Sequence, residues 1–417
     1  MDHLSRRMLS FILGVTFTAG CLAAQTTLTW EEVKERFQKN NPNRLAGELS
    51  IEEAKANEIT AGLRPNPIFT STEDQNKLFS TNPYRPLGAI QWTEAFSQLI
   101  ERRNKRPLRV ELSRLSTAIS KTDLADLERQ LLFVLRDAFV RVLQGKSVVE
   151  LATENLKYYD RVIEVNRERQ KAGDIARIDL QRVELQRAQF EGDLVNAEVN
   201  LRTAKIALLA TINERAPVGG FDVSGPFDYK PVVTTNDEVR AAAAATRPDL
   251  ISSITAIERA KADNRLAHAN GSTDPTLIAD YARAGPENTL GVGFSIPLRI
   301  FDRNQGEKAR TAIEIRRTDK VRAGIEATIY RDVDSAYATI ESVAALLKPY
   351  RERYLPQSED VRETVSFSYS KGGASLLEFL DAQKSYRDIQ LNYRNLLASY
   401  LSAINQLNLA IGKEAIQ

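Results

Sequence analysis

The feature that most constrains this chain is an internal repeat of about two hundred residues. The stretch IEEAKANEI at Ile51–Ile59 returns as IERAKADNR from Ile257, 206 positions later. KAGDIARIDL from Lys171 is matched by KGGASLLEFL from Lys371, at a spacing of 200. Because such matches keep their order at a nearly constant offset, they predict one unit present twice. We expect a first repeat over residues 25–215, a linker over 216–237 and a second repeat over 238–417.

Residues 1–24 have the pattern of a secretory signal peptide, in which two arginines precede an apolar, small-residue stretch. Cleavage after Ala24 is the favoured interpretation. The alternative is lipid attachment at Cys21, because TAGC resembles a bacterial lipidation site, although Thr18 stands where Leu is usual.

Removal of that segment leaves His268 as the only histidine and leaves no Cys or Met. A Cys/His metal site, a Cys nucleophile and a disulfide are therefore excluded, and no cofactor is expected. Lys and Arg total 57 against 55 Asp and Glu, without long blocks of one sign, which argues against a nucleic-acid partner. An enzyme built on carboxylates alone stays open as an alternative, but no motif for one is present.

Long segments almost free of Gly and Pro predict long helices. The longest, from Leu108 to Lys171, is interrupted only by Gly145 and would run roughly 95 Å as a single helix. Apolar residues recurring at three, four or seven positions suit antiparallel coiled-coil packing. The other predicted arms are Asp174–Arg215, Glu307–Lys348 and Ala374–Ile411.

Four short segments between these helices are predicted to be strands. In NTLGVGFSIPL, large apolar residues alternate strictly with small ones, as on a membrane-facing barrel strand. Four strands are too few to close a barrel, so this interpretation requires more than one chain. A small soluble sheet is the alternative. The four segments are Pro67–Thr72, Leu87–Phe96, Pro275–Ala284 and Asn288–Leu298.

Motifs in both repeats resemble the outer membrane factor family, the channel-tunnels of bacterial efflux pumps typified by TolC. They are LTWEEVKERFQKNNPNRL, TRPDL, PLRIFDRNQG and GGASLLEFLDAQ, in that order, and they are most similar to the cobalt–zinc–cadmium efflux branch. The resemblance implies a mainly helical chain with a small β part. Three copies would form a twelve-stranded barrel in the outer membrane and a helical tunnel across the periplasm. The expected partners are a periplasmic adaptor protein and an inner-membrane pump of the resistance-nodulation-division type.

The same resemblance places a periplasmic gate at the two helix turns, at Gly173 and at Gly372 with Gly373. It assigns gate roles to Asp179 and Tyr369, and leaves open whether the hydroxyl of Tyr369 latches to Asp179 or the gate is held by packing. The family's gate arginine falls on Ala374, so Arg177, Lys371 or packing must take its place.

Glu378 and Asp381, three positions apart on one helix face, match the family's acidic ring at the tunnel entrance. Ordinary solvated helix charges are the alternative. The function implied is a passive export conduit for metal cations or small toxic molecules. A soluble periplasmic scaffold or adaptor is the competing hypothesis.

Overall fold

A computed structural model describes residues 26–74, 90–215 and 217–414 of the chain. The predicted signal peptide, with Cys21 and its cleavage site, lies outside these residues, as does the beginning of the second predicted strand. The helices are α1 (Trp30–Asn40), α2 (Pro42–Gly62), α3 (Lys105–Ala172), α4 (Arg177–Thr211), α5 (Asn236–Thr246), α6 (Pro248–Asn270), α7 (Gln305–Pro349), α8 (Leu355–Ser370) and α9 (Leu376–Ile411). The strands are β1 (Thr26–Leu28), β2 (Ile68–Asp74), β3 (Gln91–Leu99), β4 (Phe221–Val223), β5 (Thr276–Ala284) and β6 (Glu287–Ser295).

The predicted long helices are confirmed. Helix α3 has 68 residues and therefore runs about 100 Å. The helix continues through Gly145. A side chain here would meet α4, because a Cβ at this position would lie 3.1 Å from the Cα of Leu201. The glycine thus allows two helices to approach closely rather than ending one of them.

The same start signal opens α2 and α6, one in each repeat. Pro42 and Pro248 occupy the first turn, where a missing N–H costs nothing and the fixed φ suits the helix. Helices α1 and α5 begin instead with a capping box, from Thr29 with Glu32 and from Thr235 with Glu238.

The four predicted strands meet in one antiparallel sheet of order β2-β3-β5-β6, as expected. One face carries large apolar side chains, including Phe96, Val292 and Phe294. The opposite face carries small and polar ones, such as the row of Thr70, Ala95, Asp280 and Gly291. Val292 is 86% exposed, so the apolar face is uncovered in a single chain.

A second, two-stranded sheet was missed by sequence reasoning. Strand β4, in the linker between the repeats, pairs in parallel with β1, with Leu28 opposite Val223. Both residues are buried in a cluster that also contains Phe139 and Leu208 of the long helices. The linker is thus fixed against the middle of α3 and the end of α4.

The long arm of the second repeat is interrupted where that of the first is continuous. Between α7 and α8 lies a π-helical turn, Tyr350–Tyr354, preceded by Pro349 and followed by Pro356. Single π-turns within helices are often found at functional sites. Helix α8 is consequently a separate, 16-residue piece that ends at the tip of the molecule.

Candidate functional site

Two turns, one in each repeat, form the tip of the helical arms. Gly173 and Gly372 take positive φ values of 85° and 78°, in the left-handed region that glycine adopts without strain. Each turn closes with a matching backbone hydrogen bond: Asp174 N donates to Arg169 O at 2.8 Å, and Gly373 N donates to Ser368 O at 2.9 Å.

The matching bonds show that the two repeats align here one residue differently from the alignment that the sequence match predicted. The equivalent positions, Gly173 and Gly372, are 199 residues apart, whereas the sequence match pairs Gly173 with Gly373 at 200. In the corrected register Asp179 corresponds to Glu378, and each is the third residue of its helix.

Glu378 has a local structural role that the sequence reasoning did not recognise. Its Oε2 atom accepts hydrogen bonds from the Ser375 backbone N–H at 2.7 Å and from the Ser375 hydroxyl at 2.9 Å. The Glu378 N–H in turn donates to Ser375 Oγ, which completes a capping box for α9. These bonds, that from the backbone N–H first, lower the pKa of Glu378, so its carboxylate stays charged.

Asp381 lies less than one turn further along α9 and is also exposed. Within the described part of the chain it makes no hydrogen bond or ion pair. The structure therefore brings Glu378 and Asp381 together on an exposed stretch of the tip. Whether they form a ring depends on neighbouring copies and stays a prediction.

Tyr369 is buried, and its hydroxyl does not bond to Asp179. It donates to Asn166 Oδ1 at 2.8 Å, and the Asn166 amide donates to the Val162 carbonyl, also at 2.8 Å. Asp179 lies 3.9 Å from Arg182 instead. A latch to Asp179 is thus not formed within the chain.

Burial raises the pKa of the Tyr369 hydroxyl. Arg169 lowers this pKa and Asp179 raises it, both by smaller amounts. The phenol is therefore neutral at physiological pH and acts as a hydrogen-bond donor. Its ring stacks on Phe379, with centroids 4.8 Å apart and planes at 21°. Tyr369 thereby joins the ends of three helices, α3, α8 and α9.

The cation nearest to Tyr369 is Arg169, which sequence reasoning did not select. Its Nη1 donates to the Tyr369 carbonyl at 3.1 Å, and its guanidinium carbon lies 5.2 Å from the centre of the Tyr369 ring. Arg177 is exposed and makes no hydrogen bond or ion pair among the described residues. Lys371 is exposed too, with its ammonium 5.7 Å from the Phe367 ring centre. The available signal for Arg169 was its position in the last turn of α3, where a cation favours the helix dipole.

A second polar layer lies above the tip. The Tyr158 hydroxyl donates to Ser366 Oγ at 2.8 Å, and Gln383 donates to that Oγ at 3.1 Å. The guanidinium of Arg362 lies 3.8 Å from the ring centre of Tyr386. This layer again connects α3, α8 and α9.

None of the helices in the described part of the chain combines the length and apolar character needed to cross a lipid bilayer. Across the same residues, no group of three or more His, Cys, Asp or Glu side chains is placed to hold a metal ion.

The chain is similar in sequence to known proteins. Residues 236–413 match the family described as Outer membrane efflux protein. The chain is 24% identical over 398 residues to the cobalt-zinc-cadmium resistance protein CzcC of Cupriavidus metallidurans, covering 93% of this chain and 90% of the relative.

Solved structures share the whole fold at low identity. CusC superposes with a TM-score of 0.76 at 15% identity, covering 92% of both chains. The MtrE outer membrane channel of Neisseria gonorrhoeae gives 0.75 at 16%, covering 92% of this chain and 89% of that one. VceC of Vibrio cholerae gives 0.73 at 16%, covering 92% and 96%. The repeated helical arms and the four-stranded sheet are therefore the fold of these solved structures, and residues 236–413 carry the match to the outer membrane efflux protein family.

Proposed function

We propose that three copies of the chain form a passive conduit from the periplasm to the outside of the cell. The observation that carries this proposal is the four-stranded sheet, in which the outer edges of β2 and β6 have no partner strand within the described residues. In lipid, unpaired strand edges are costly, and closing the sheet with strands from other copies removes them. Its apolar face suits lipid, and its small, polar face suits an aqueous lumen.

A stripe of exposed apolar residues on α4 supports the same assembly. Ile178, Leu185, Val199 and Ile206 are between 49% and 75% exposed, and they recur at intervals of seven or fourteen. Gly192 occupies the remaining position of the series. A strict seven-residue apolar repeat is the seam of a coiled coil. We assign this α4 stripe to packing against a neighbouring copy.

The cargo we propose is metal cations, handed on by an inner-membrane pump. The support is the resemblance to CzcC, a cobalt-zinc-cadmium resistance protein. The described residues offer no cluster that would hold a metal ion, so the conduit would pass cations without binding them tightly. Substrate choice would then rest with a pump of the resistance-nodulation-division type and its adaptor protein.

We further propose that the helix tip is the gate and the entrance. Tyr369, packed between three helices, would hold it closed, with Asp179 contributing negative charge nearby. Arg177 and Lys371 are exposed and free to meet neighbouring copies. Glu378 and Asp381 would surround the entrance with carboxylates and favour cations.

Cell fractionation tests the proposal. Expressing cells are separated into outer membrane and soluble periplasm, and the chain is extracted in mild detergent and its particle mass measured. We expect an outer-membrane particle of three copies that requires detergent. A monomer or dimer in the soluble periplasm would contradict the conduit and favour a scaffold.

A further inference from the structure

We propose that Arg169 is a positioning residue of the gate, holding Tyr369, and through it the end of α8, in the closed tip. This inference rests on the proposed gate. The family's gate arginine falls on Ala374 in this chain, and Arg169 of the first repeat would supply the cation instead.

Arg169 contacts two parts of Tyr369 at once. Its Nη1 bonds the Tyr369 carbonyl, while its guanidinium lies near the ring of the same residue. That carbonyl belongs to the last turn of α8, where carbonyl groups lack partners within the helix, and it also accepts from the Gly372 N–H at 3.1 Å beyond the helix end. A planar cation placed there gives the carbonyl a second hydrogen bond, interacts favourably with the helix dipole and attracts the aromatic face. Lysine, with a compact charge, cannot reproduce all three contacts.

The other tip cations do not replace it. Arg182 is next to Asp179, and Lys371 lies near Phe367 beyond the end of α8. Arg167, only two residues from Arg169, pairs with Glu184 on the surface at 2.9 Å. Arg169 is thus the cation that reaches Tyr369 from another helix.

Helix α8 depends on such side-chain ties. The apolar cluster nearest the tip consists of Tyr159 and Ile163 of α3 with Val183 and Phe190 of α4, and partly buried residues of α3 and α9, but none of α8, pack against it. The described hydrogen bonds between α3 and α8 run from Tyr158 to Ser366, from Tyr369 to Asn166 and from Arg169 to the Tyr369 carbonyl. Because the cluster contains no residue of α8, loss of these bonds would let the end of α8 move away from α3. Arg169 therefore makes one of the polar contacts that hold the end of α8 against α3.

The test is single-channel recording of the reconstituted full chain. Arg169→Met keeps a flexible apolar stem but removes the charge and the donors, and we expect the ratio of open to closed channel to rise roughly tenfold. Arg169→Lys should restore part of the closed state, because it keeps a cation near the carbonyl and the ring. Arg167→Met, two residues away, is the matched control and should behave as wild type.

Particle mass and hydrogen exchange separate positioning from folding. In Arg169→Met we expect three copies as in wild type, with faster amide exchange confined to residues 366–370. If Arg169→Met does not assemble, Arg169→Gln, which keeps a polar side chain but is uncharged and shorter, carries the same prediction.

Tyr369→Ala distinguishes two kinds of failure. If Tyr369→Ala opens the channel and Arg169→Met leaves it closed, the role of Arg169 is wrong and the gate stands. If Tyr369→Ala also leaves conductance unchanged, the proposed gate itself is wrong. Equal opening by Arg167→Met would likewise contradict the inference, because loss of any nearby charge would then suffice.

Discussion

Truncation of Leu185 in the α4 stripe should weaken assembly without weakening the fold. Leu185 is 75% exposed in one chain, whereas Val183, two residues earlier, is fully buried. Leu185→Ala removes apolar surface at the seam, and alanine is the best helix former, so α4 itself is not destabilised.

The magnitude follows from the exposed area. Complete burial of a leucine side chain contributes roughly 2 kcal/mol, so covering the 75% that is exposed contributes roughly 1.5 kcal/mol per chain. With three such side chains in a trimer, the variant should lose roughly 4 to 5 kcal/mol of assembly free energy. That corresponds to about three powers of ten in the association constant.

Particle mass across a dilution series in detergent measures this effect. We expect Leu185→Ala to dissociate at far higher protein concentration than wild type, while the helical signal by circular dichroism stays the same. Glu198→Ala is the control and should dissociate like wild type, because Glu198 is exposed but lies about 100° around the helix from Val199 of the stripe. Unchanged dissociation of Leu185→Ala would refute the assignment of the α4 stripe to an interface between copies.

Three further changes probe the junction and the tip. Lys105→Met leaves the mostly buried Asp274 carboxylate without its 2.5 Å partner, so thermal unfolding should show a loss of about 3 to 5 kcal/mol. Burial opposes the charge of Asp274, but the hydrogen bond from Lys105 and the backbone outweigh it and lower its pKa. Because the pKa of Asp274 is lowered in the folded state, the stabilisation by this ion pair is present above about pH 4 and is lost as the pH falls through the folded-state pKa. A Lys105→Met variant as stable as wild type at pH 7 would contradict this role of the ion pair. Ser375→Ala removes the cap of α9 and should cost about 1 kcal/mol, seen as faster amide exchange in its first turn, whereas unchanged exchange would argue against the capping box. Glu378→Gln combined with Asp381→Asn should reduce cation preference in reversal-potential measurements with assembly intact, and unchanged preference would reduce the pair to surface charges.

The long helices were predictable because their signals are local and repeated. A run of good helix formers with Gly145 as its one interruption predicted α3 within three residues at its start and one at its end. The strands were predictable for the same reason, since alternation in NTLGVGFSIPL shows directly which face is apolar. The parallel pair of β1 and β4 was not, because each strand has only three residues and its partner lies in the other half of the chain.

The tip shows where sequence reasoning stopped. Lys371 is followed by two glycines, and only the backbone conformation reveals that Gly372 takes the positive φ that sets the register. The hydroxyl partner of Tyr369 is Asn166, 203 residues away, and a pairing across two packed helices leaves no local pattern. The capping role of Glu378 was readable, because Ser375 precedes it by three positions at a helix start. The resemblance directed attention to a different role for this carboxylate.

Disulfide cross-linking between the two edges of the sheet tests the central claim most directly. In a Cys21→Ala background the chain has no cysteine, so Thr289→Cys on β6 can be combined with a cysteine at position 70, 72 or 74 on β2. Within one chain these strands are separated by three strand spacings, about 14 Å, which is too far for a disulfide. If other copies close the sheet, at least one combination will give a covalent trimer in isolated outer membranes. The absence of any cross-link in all three combinations, with the chain folded, would contradict the account.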